Sequence, residues 1–153
     1  MRDLTNCVIM SIDLFNLERF VTAQDAYDSY NIALKEIKEG RKQSHWIWYV
    51  FPQIQGLGHS FNSEYYGIKS IEEASAYIAD KLLGQRLREI TEALLKIEGK
   101  TINEILGGID AKKARSSMTL FDMVSPHDIF EKVLDKYYAG KRCVFTLKRF
   151  AKK

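Results

Sequence analysis

Trp46-Ile47-Trp48-Tyr49-Val50-Phe51 is the stretch on which the fold class turns. Its six residues are apolar on every side and β-prone, so periodicity does not separate a buried strand from a buried helical turn. A strand needs a partner, and an isolated pair is marginal in water. Only one other run is comparably ambiguous, Cys143-Val144-Phe145-Thr146-Leu147, and no strand partner with turn chemistry lies elsewhere. Consistency with the helical surroundings assigns both runs to helix. The expected fold is all-α, one compact domain of about seven or eight short helices.

Those surroundings are read from spacing and end signals. Tyr27, Tyr30, Leu34 and Ile37 recur at helical intervals before Gly40; Leu87, Ile90, Leu94 and Ile97 do so before Gly99, and Phe130, Val133, Leu134 and Tyr137 before Gly140. Ser70-Ile71-Glu72-Glu73 and Thr101-Ile102-Asn103-Glu104 have the form of capping boxes, and Ser125-Pro126 reads as N-cap and first helical residue, so helices are expected from about 71, 102 and 126. Asp110 to Met123 is a further helix, and Phe15 to Thr22 a short one entered from Asp13 or Asn16. Residues 1–12 are expected to be loose.

At 153 residues the chain has the size of one domain, and 46% hydrophobic with 28% charged residues is an ordinary globular balance, excluding disordered, collagen-like and linker-rich classes. The six-residue apolar run is far below the roughly 20 residues of a membrane span, and no basic stretch precedes an apolar segment at the N-terminus. Cys7 and Cys143 form no framework, which suits a reduced cytoplasmic setting. His45, His59 and His127 are isolated, so no metal is expected, and no glycine-rich nucleotide loop or cofactor motif is present. Lys141, Arg142, Lys148, Arg149, Lys152 and Lys153 make the C-terminal edge basic on a mildly acidic body.

The densest chemistry flanks the deciding stretch. If Ser44 caps a helix running to Phe51, its free amides lie beside the charges of Arg41 and Lys42, which together make an anion site. His45 then stands at the first helical position as a donor or acid-base group, Trp46 and Trp48 offer flat faces, and Gln53 completes the string; a buried core role for the tryptophans is the plainer alternative. Arg115, Ser116, Ser117 and Thr119 form a second cluster, a polar stripe toward a pocket or ordinary back-bonding inside a core helix. Lys141 and Arg142, at a helix end, are a third. Glu64, Glu73 and Asp110 are the carboxylates available near these clusters, and Glu73 and Asp110 join His45 as candidates for proton transfer.

Leu17 to Gln24, the string Gly40 to Gln53 with its Ser-His-Trp and Phe-Pro-Gln, Glu73-Ala74 with Ala76-Tyr77, and Ser116-Ser117-Met118-Thr119-Leu120-Phe121 together resemble the family catalogued as domain of unknown function 1810. The resemblance runs from about Met10 to Phe150, marking residues 1–9 as an extension and 10–153 as the domain. Leu14 stands where that family commonly has proline, and Cys143 where it often has an acid. The resemblance implies a compact all-α domain, and invites a fold-level comparison with small helical domains that bind or hydrolyse ADP-ribose.

Two functional readings follow. The first is a pocket protein for a phosphorylated, ADP-ribose-like ligand, with hydrolase or transferase chemistry as an extension. The second is a non-enzymatic interaction module whose basic C-terminal edge meets an acidic protein; with a net charge of +3, nucleic acid is not the expected partner, and neither is a membrane.

Overall fold

The computed structural model describes residues 13–151, and the expected N-terminal extension lies outside them. Among the described residues the chain is all-α. The elements are α1 (Glu18–Asp25), a 3-10 turn (Ala26–Asp28), α2 (Ser29–Lys38), α3 (Ile47–Val50), α4 (Phe61–Tyr65), α5 (Ile71–Ala79), α6 (Lys81–Lys96), α7 (Ile102–Leu106), α8 (Gly108–Val124), α9 (Ile129–Tyr138) and α10 (Val144–Ala151). The deciding stretch is one helical turn. Its nearest approach to β structure is a single parallel bridge just beyond it, between Ile54 and Ile68.

Helix starts follow local capping chemistry. The Asp13 carboxylate accepts from the amides of Leu17 and Glu18 at 2.8 and 2.9 Å, tying the entry to α1. Thr101 and Glu104 form the full reciprocal box at α7. Ser70 caps α5 through the Glu73 amide, but the Glu73 side chain turns away to the Lys69 amide and Arg19, so that box is half made. Asp80 caps α6 through the amides of Leu82 and Leu83.

Two expectations are corrected, and one element is new. The helix expected from 126 begins at Ile129, because Asp128 is a stronger local cap: its carboxylate takes the Ile129 amide, the Ser125 hydroxyl and the Arg88 guanidinium, leaving Ser125-Pro126 in a turn. Tyr27, assigned by spacing to a buried helical face, stands outside α2 and is 96% exposed, because the chain reverses there through left-handed conformations at Tyr27 and Asp28. The short α4, with Ser60 capping the Ser63 amide, follows no apolar periodicity and was not expected.

The core is built around α8, which packs against α3, α5, α7, α9 and α10. Its residues Ser116 to Phe121 are all buried, which explains why the helix lacks a clean polar face. An aromatic series links four helices. Phe20 of α1 meets Tyr77 of α5 edge-on at 5.0 Å, Tyr77 meets Phe121 of α8 at 5.4 Å, and Phe121 meets Phe130 of α9 at 5.8 Å. None of the described helices is long and apolar enough to cross a membrane.

Candidate anion-binding site

The string 40–53 is organised by a residue the sequence did not single out. The Glu36 carboxylate accepts from the amides of Gln43 and Ser44 at 2.8 and 3.0 Å, from the Ser44 hydroxyl at 2.5 Å and from the Trp46 indole at 2.8 Å. Burial opposes its ionisation, but donors from Ser44, Gln43 and Trp46 outweigh it and hold the carboxyl down at about 2. Ser44 therefore caps no helix; α3 starts three residues later with Trp46 at its N-cap and no side-chain cap.

Lys42 is likewise engaged. Its ammonium pairs with Asp110 at 2.7 Å, donates to the Ser44 carbonyl and lies 5.0 Å from the Trp46 ring centroid. Arg41 and His45 are exposed, and neither side chain makes a hydrogen bond among the described residues. Trp46 is core. Trp48 is half-buried under the Lys113 ammonium, 4.8 Å from its ring, and Gln53 is buried with its carbonyl accepting the Ile68 amide. The phosphate cradle expected from Arg41, Lys42 and Ser44 does not converge, because Glu36 draws Ser44 inward and Asp110 draws Lys42 inward while Arg41 stays exposed.

The proton-transfer candidates are similarly separated. Glu73 is buried on Arg19 at 2.7 Å, Asp110 holds Lys42 and Lys113, and neither shares a hydrogen bond with His45 among the described residues. In the second cluster, Ser116 and Thr119 donate back to the carbonyls of Lys112 and Arg115, the ordinary alternative for such residues in a core helix. The Ser116 hydroxyl also lies 3.2 Å from the Cys143 sulfur, and the Cys143 amide donates to Thr119, so both hydroxyls meet the start of α10. The Ser117 hydroxyl is buried without a partner. Arg142 is taken up by Asp122 and the Gly140 carbonyl, and Lys141 is exposed.

One predicted residue is differently placed. Arg115 lines a hollow of about 460 Å³ between α7, α8 and α9, together with Asn103, Gly108, Ile109, Lys112 and Tyr138. Its guanidinium has no ion pair or hydrogen bond among the described residues, and its Nε is buried and unpartnered. Lys112, one turn earlier on the same face of α8, has no carboxylate partner either. Tyr138 donates to the Ala111 carbonyl at 2.6 Å; burial pushes its phenol up, Arg115 opposes this, and the net effect keeps it a donor. Gly107 precedes α8 with φ 88° and supplies no side chain to the first amides of the helix.

Charge distinguishes this hollow from the others described. The hollow between α2 and α6 is lined by Lys38 and Lys96 together with Glu89 and Glu92, and the one at α9 by Arg88 and Lys132 together with Glu92 and Asp128. A neighbouring hollow contains Lys100 and Lys136, but Lys100 donates to the Gly40 carbonyl and Lys136 to those of Leu95 and Ile97. The hollow at Arg115 combines two unpaired cations with no carboxylate in its lining. Lys112, Asn103 and Tyr138 were not foreseen. The readable signal was the spacing of Ile109, Lys112 and Arg115, which puts them on adjoining turns of one face after Gly107-Gly108.

The family described as protein of unknown function (DUF1810) matches residues 14–150. The chain belongs to the DUF1810 family. It is also similar, at 43% identity and a TM-score of 0.88, to the crystal structure of the conserved hypothetical protein Rv1873 from Mycobacterium tuberculosis, covering 92% of this chain and all of that one. None of the curated proteins matches. In this DUF1810 chain the Ser-His-Trp and Phe-Pro-Gln string is the structural tie joining α2, α3 and α8, while the unpaired cations lie on α8.

The chemistry available in the hollow is recognition of negative charge. A planar guanidinium presents paired donors suited to phosphate or carboxylate, an ammonium adds a second charge, and the Tyr138 ring and Ile109 supply apolar surface.

Proposed function

We propose that this DUF1810 protein is a small-molecule-binding protein whose ligand is phosphorylated and nucleotide-like, in the manner of ADP-ribose, with its phosphate on Arg115 and Lys112. The observation that carries the reading is the pair of cations in one hollow without any carboxylate to neutralise them. Leaving a partly buried guanidinium unpaired is unfavourable, and an anion relieves it. Asn103 offers an amide for a sugar hydroxyl, and Tyr138 a ring against which a base can lie. The lining holds neither an imidazole nor a carboxylate, which favours binding over hydrolysis or transfer.

Thermal unfolding against ADP-ribose, nicotinamide dinucleotides, mononucleotides, sugar phosphates and inorganic phosphate tests this. A true ligand at 100 times its dissociation constant adds about 2.7 kcal/mol, a rise of roughly 5 to 10 °C for a domain of this size. Arg115→Ala is expected to weaken binding by about 1.5 to 3 kcal/mol, and Arg41→Ala to leave it unchanged. A panel in which no compound moves the transition, or a shift that survives Arg115→Ala, would overturn the assignment.

The interaction-module reading has its own support. On α10, Val144, Phe145 and Leu147 are exposed beside Lys148 and Arg149, a mixed apolar and basic surface suited to an acidic protein partner. Charge reversal at Lys148 and Arg149 should abolish capture of such a partner, and capture that persists would remove this reading.

A further inference from the structure

Another hollow, of about 340 Å³, opens between α1, the 3-10 turn, α2 and α3, and its lining includes Tyr27, Ser29, Ile32, Tyr49 and Tyr66. Three tyrosine rings thus share one small space, and two of them are fixed in advance. Tyr49 and Tyr66 stand 5.4 Å apart at 56°, forming two inclined walls. Tyr66 is braced from behind by Phe20 at 5.9 Å and Tyr65 at 4.8 Å, and the Tyr49 hydroxyl is held by Ser29 at 2.7 Å. Tyr27 is the free wall. The residue is 96% exposed, and consecutive left-handed residues, Tyr27 at φ 54° and Asp28 at φ 61°, set it at the rim. Left-handed backbone is unfavourable for both residue types, more so for tyrosine, so the turn that displays this ring is one the surrounding packing must enforce.

The charges around the hollow specify the guest. No lysine or arginine lines it. Asp28, between the lining residues Tyr27 and Ser29, is bonded to the Asn31 amide at 2.8 Å and has no cation partner among the described residues; Asp25, close by in sequence, pairs with Arg86. The Tyr49 hydroxyl and the Ser29 hydroxyl bond each other, which fixes the Tyr49 ring as a wall. An anion would meet negative ring faces with no lysine or arginine in the lining to hold it. A cation with an apolar shell suits all of these features, because it gains from each ring face and loses little hydration on entry.

We propose that this hollow is an aromatic cage for the trimethylammonium group of a small molecule, with Tyr27, Tyr49 and Tyr66 as walls and Asp28 as the counter-charge. The site shares no residue with the hollow at Arg115, so it stands or falls independently of the function proposed above.

The test uses the full chain with choline as probe and 3,3-dimethylbutan-1-ol as its neutral isostere, followed by the ring resonances of the tyrosines in NMR titrations. Choline is expected to shift the Tyr27, Tyr49 and Tyr66 resonances saturably, while the isostere, equal in shape and lacking the charge, binds at least about threefold more weakly. Tyr27→Ala should weaken choline by a similar factor, Tyr27→Phe should retain it, and Asp28→Asn should weaken it and flatten its salt dependence. The Tyr27 side chain is almost wholly exposed, so its removal leaves the core intact, and an unchanged unfolding transition verifies this. Equal binding of the two probes, no saturable shift with choline, or full choline affinity in Tyr27→Ala would each overturn the proposal.

Discussion

At the scale of single residues, Glu36 shows how one buried carboxylate converts a chemically rich string into scaffold. Four donors converge on it, and their combined effect holds its carboxyl at about 2, below an ordinary 4.5. A depressed folded-state pKa means stability that is present above 4.5 and lost as pH falls toward 2. Glu36→Gln is therefore expected to cost about 2 to 3 kcal/mol near neutral pH, because the charge-assisted bonds are weakened and the new amide group faces donors. The gap between wild type and variant in urea unfolding should close as pH drops from about 4.5 to 2; a constant gap over that window would show that ionisation of Glu36 is not the source. The sequence made Ser44 and Lys42 look like ligands because their types and order suit an anion, but it offered no means of seeing that Glu36, eight positions before Ser44, and Asp110 would claim them. Arg115 was legible as a candidate, whereas its lack of an ion pair among the described residues is a property of three-dimensional placement.

At the scale of elements, the helices were largely legible because apolar spacing and capping residues are local properties. Leu87, Ile90 and Leu94 are all buried on α6 as their spacing requires, and Thr101 and Asp80 cap as their types suggest. Tyr27 was misplaced for the converse reason, since 3.6-residue spacing continues on paper through a turn that the backbone does not follow. Close packing between consecutive helices is invisible in the sequence except as an unexplained glycine. Gly84 in α6 is that case: a Cβ there would lie 2.1 Å from the Ile78 carbonyl oxygen of α5, a backbone atom that cannot rotate aside. Gly84→Ala is expected to lower the unfolding free energy by about 2 to 4 kcal/mol despite the better helix propensity of alanine, and a neutral or stabilised variant in denaturant titration would contradict the contact. The end of α9 gives the opposite expectation. Ala139 closes that helix in a left-handed conformation at φ 55°, which glycine adopts without strain, so Ala139→Gly should stabilise by about 0.5 to 1 kcal/mol, measurable as a higher thermal midpoint.

At the scale of the whole molecule, the fold is locked where the chain entry, the loop after α4 and α5 meet at one buried head group. Arg19 is 5% exposed, and its guanidinium donates to the carbonyls of Phe15, Asn16, Tyr65 and Gly67 and to the Glu73 carboxylate, whose other oxygen takes the Lys69 amide. Charge accounts for one of these contacts; the others need several directed donors in a plane, which an ammonium cannot supply. The two explanations for this arrangement separate experimentally. If neutralising Glu73 were its main role, Arg19→Lys would retain nearly full stability and Arg19→Met would lose about 3 to 5 kcal/mol, the usual consequence of leaving a buried charge unpaired. The geometry predicts instead that Arg19→Lys already loses about 2 to 3 kcal/mol, because it leaves buried carbonyls without donors, and that Arg19→Met loses somewhat more. For the same reason Arg19→Met combined with Glu73→Leu should recover only the part due to the unpaired charge, while the orphaned carbonyls of residues 15, 16, 65 and 67 keep the double variant less stable than wild type. Denaturant unfolding of the four proteins measures each step, and an Arg19→Lys variant as stable as wild type would assign the site to charge rather than to directed bonding.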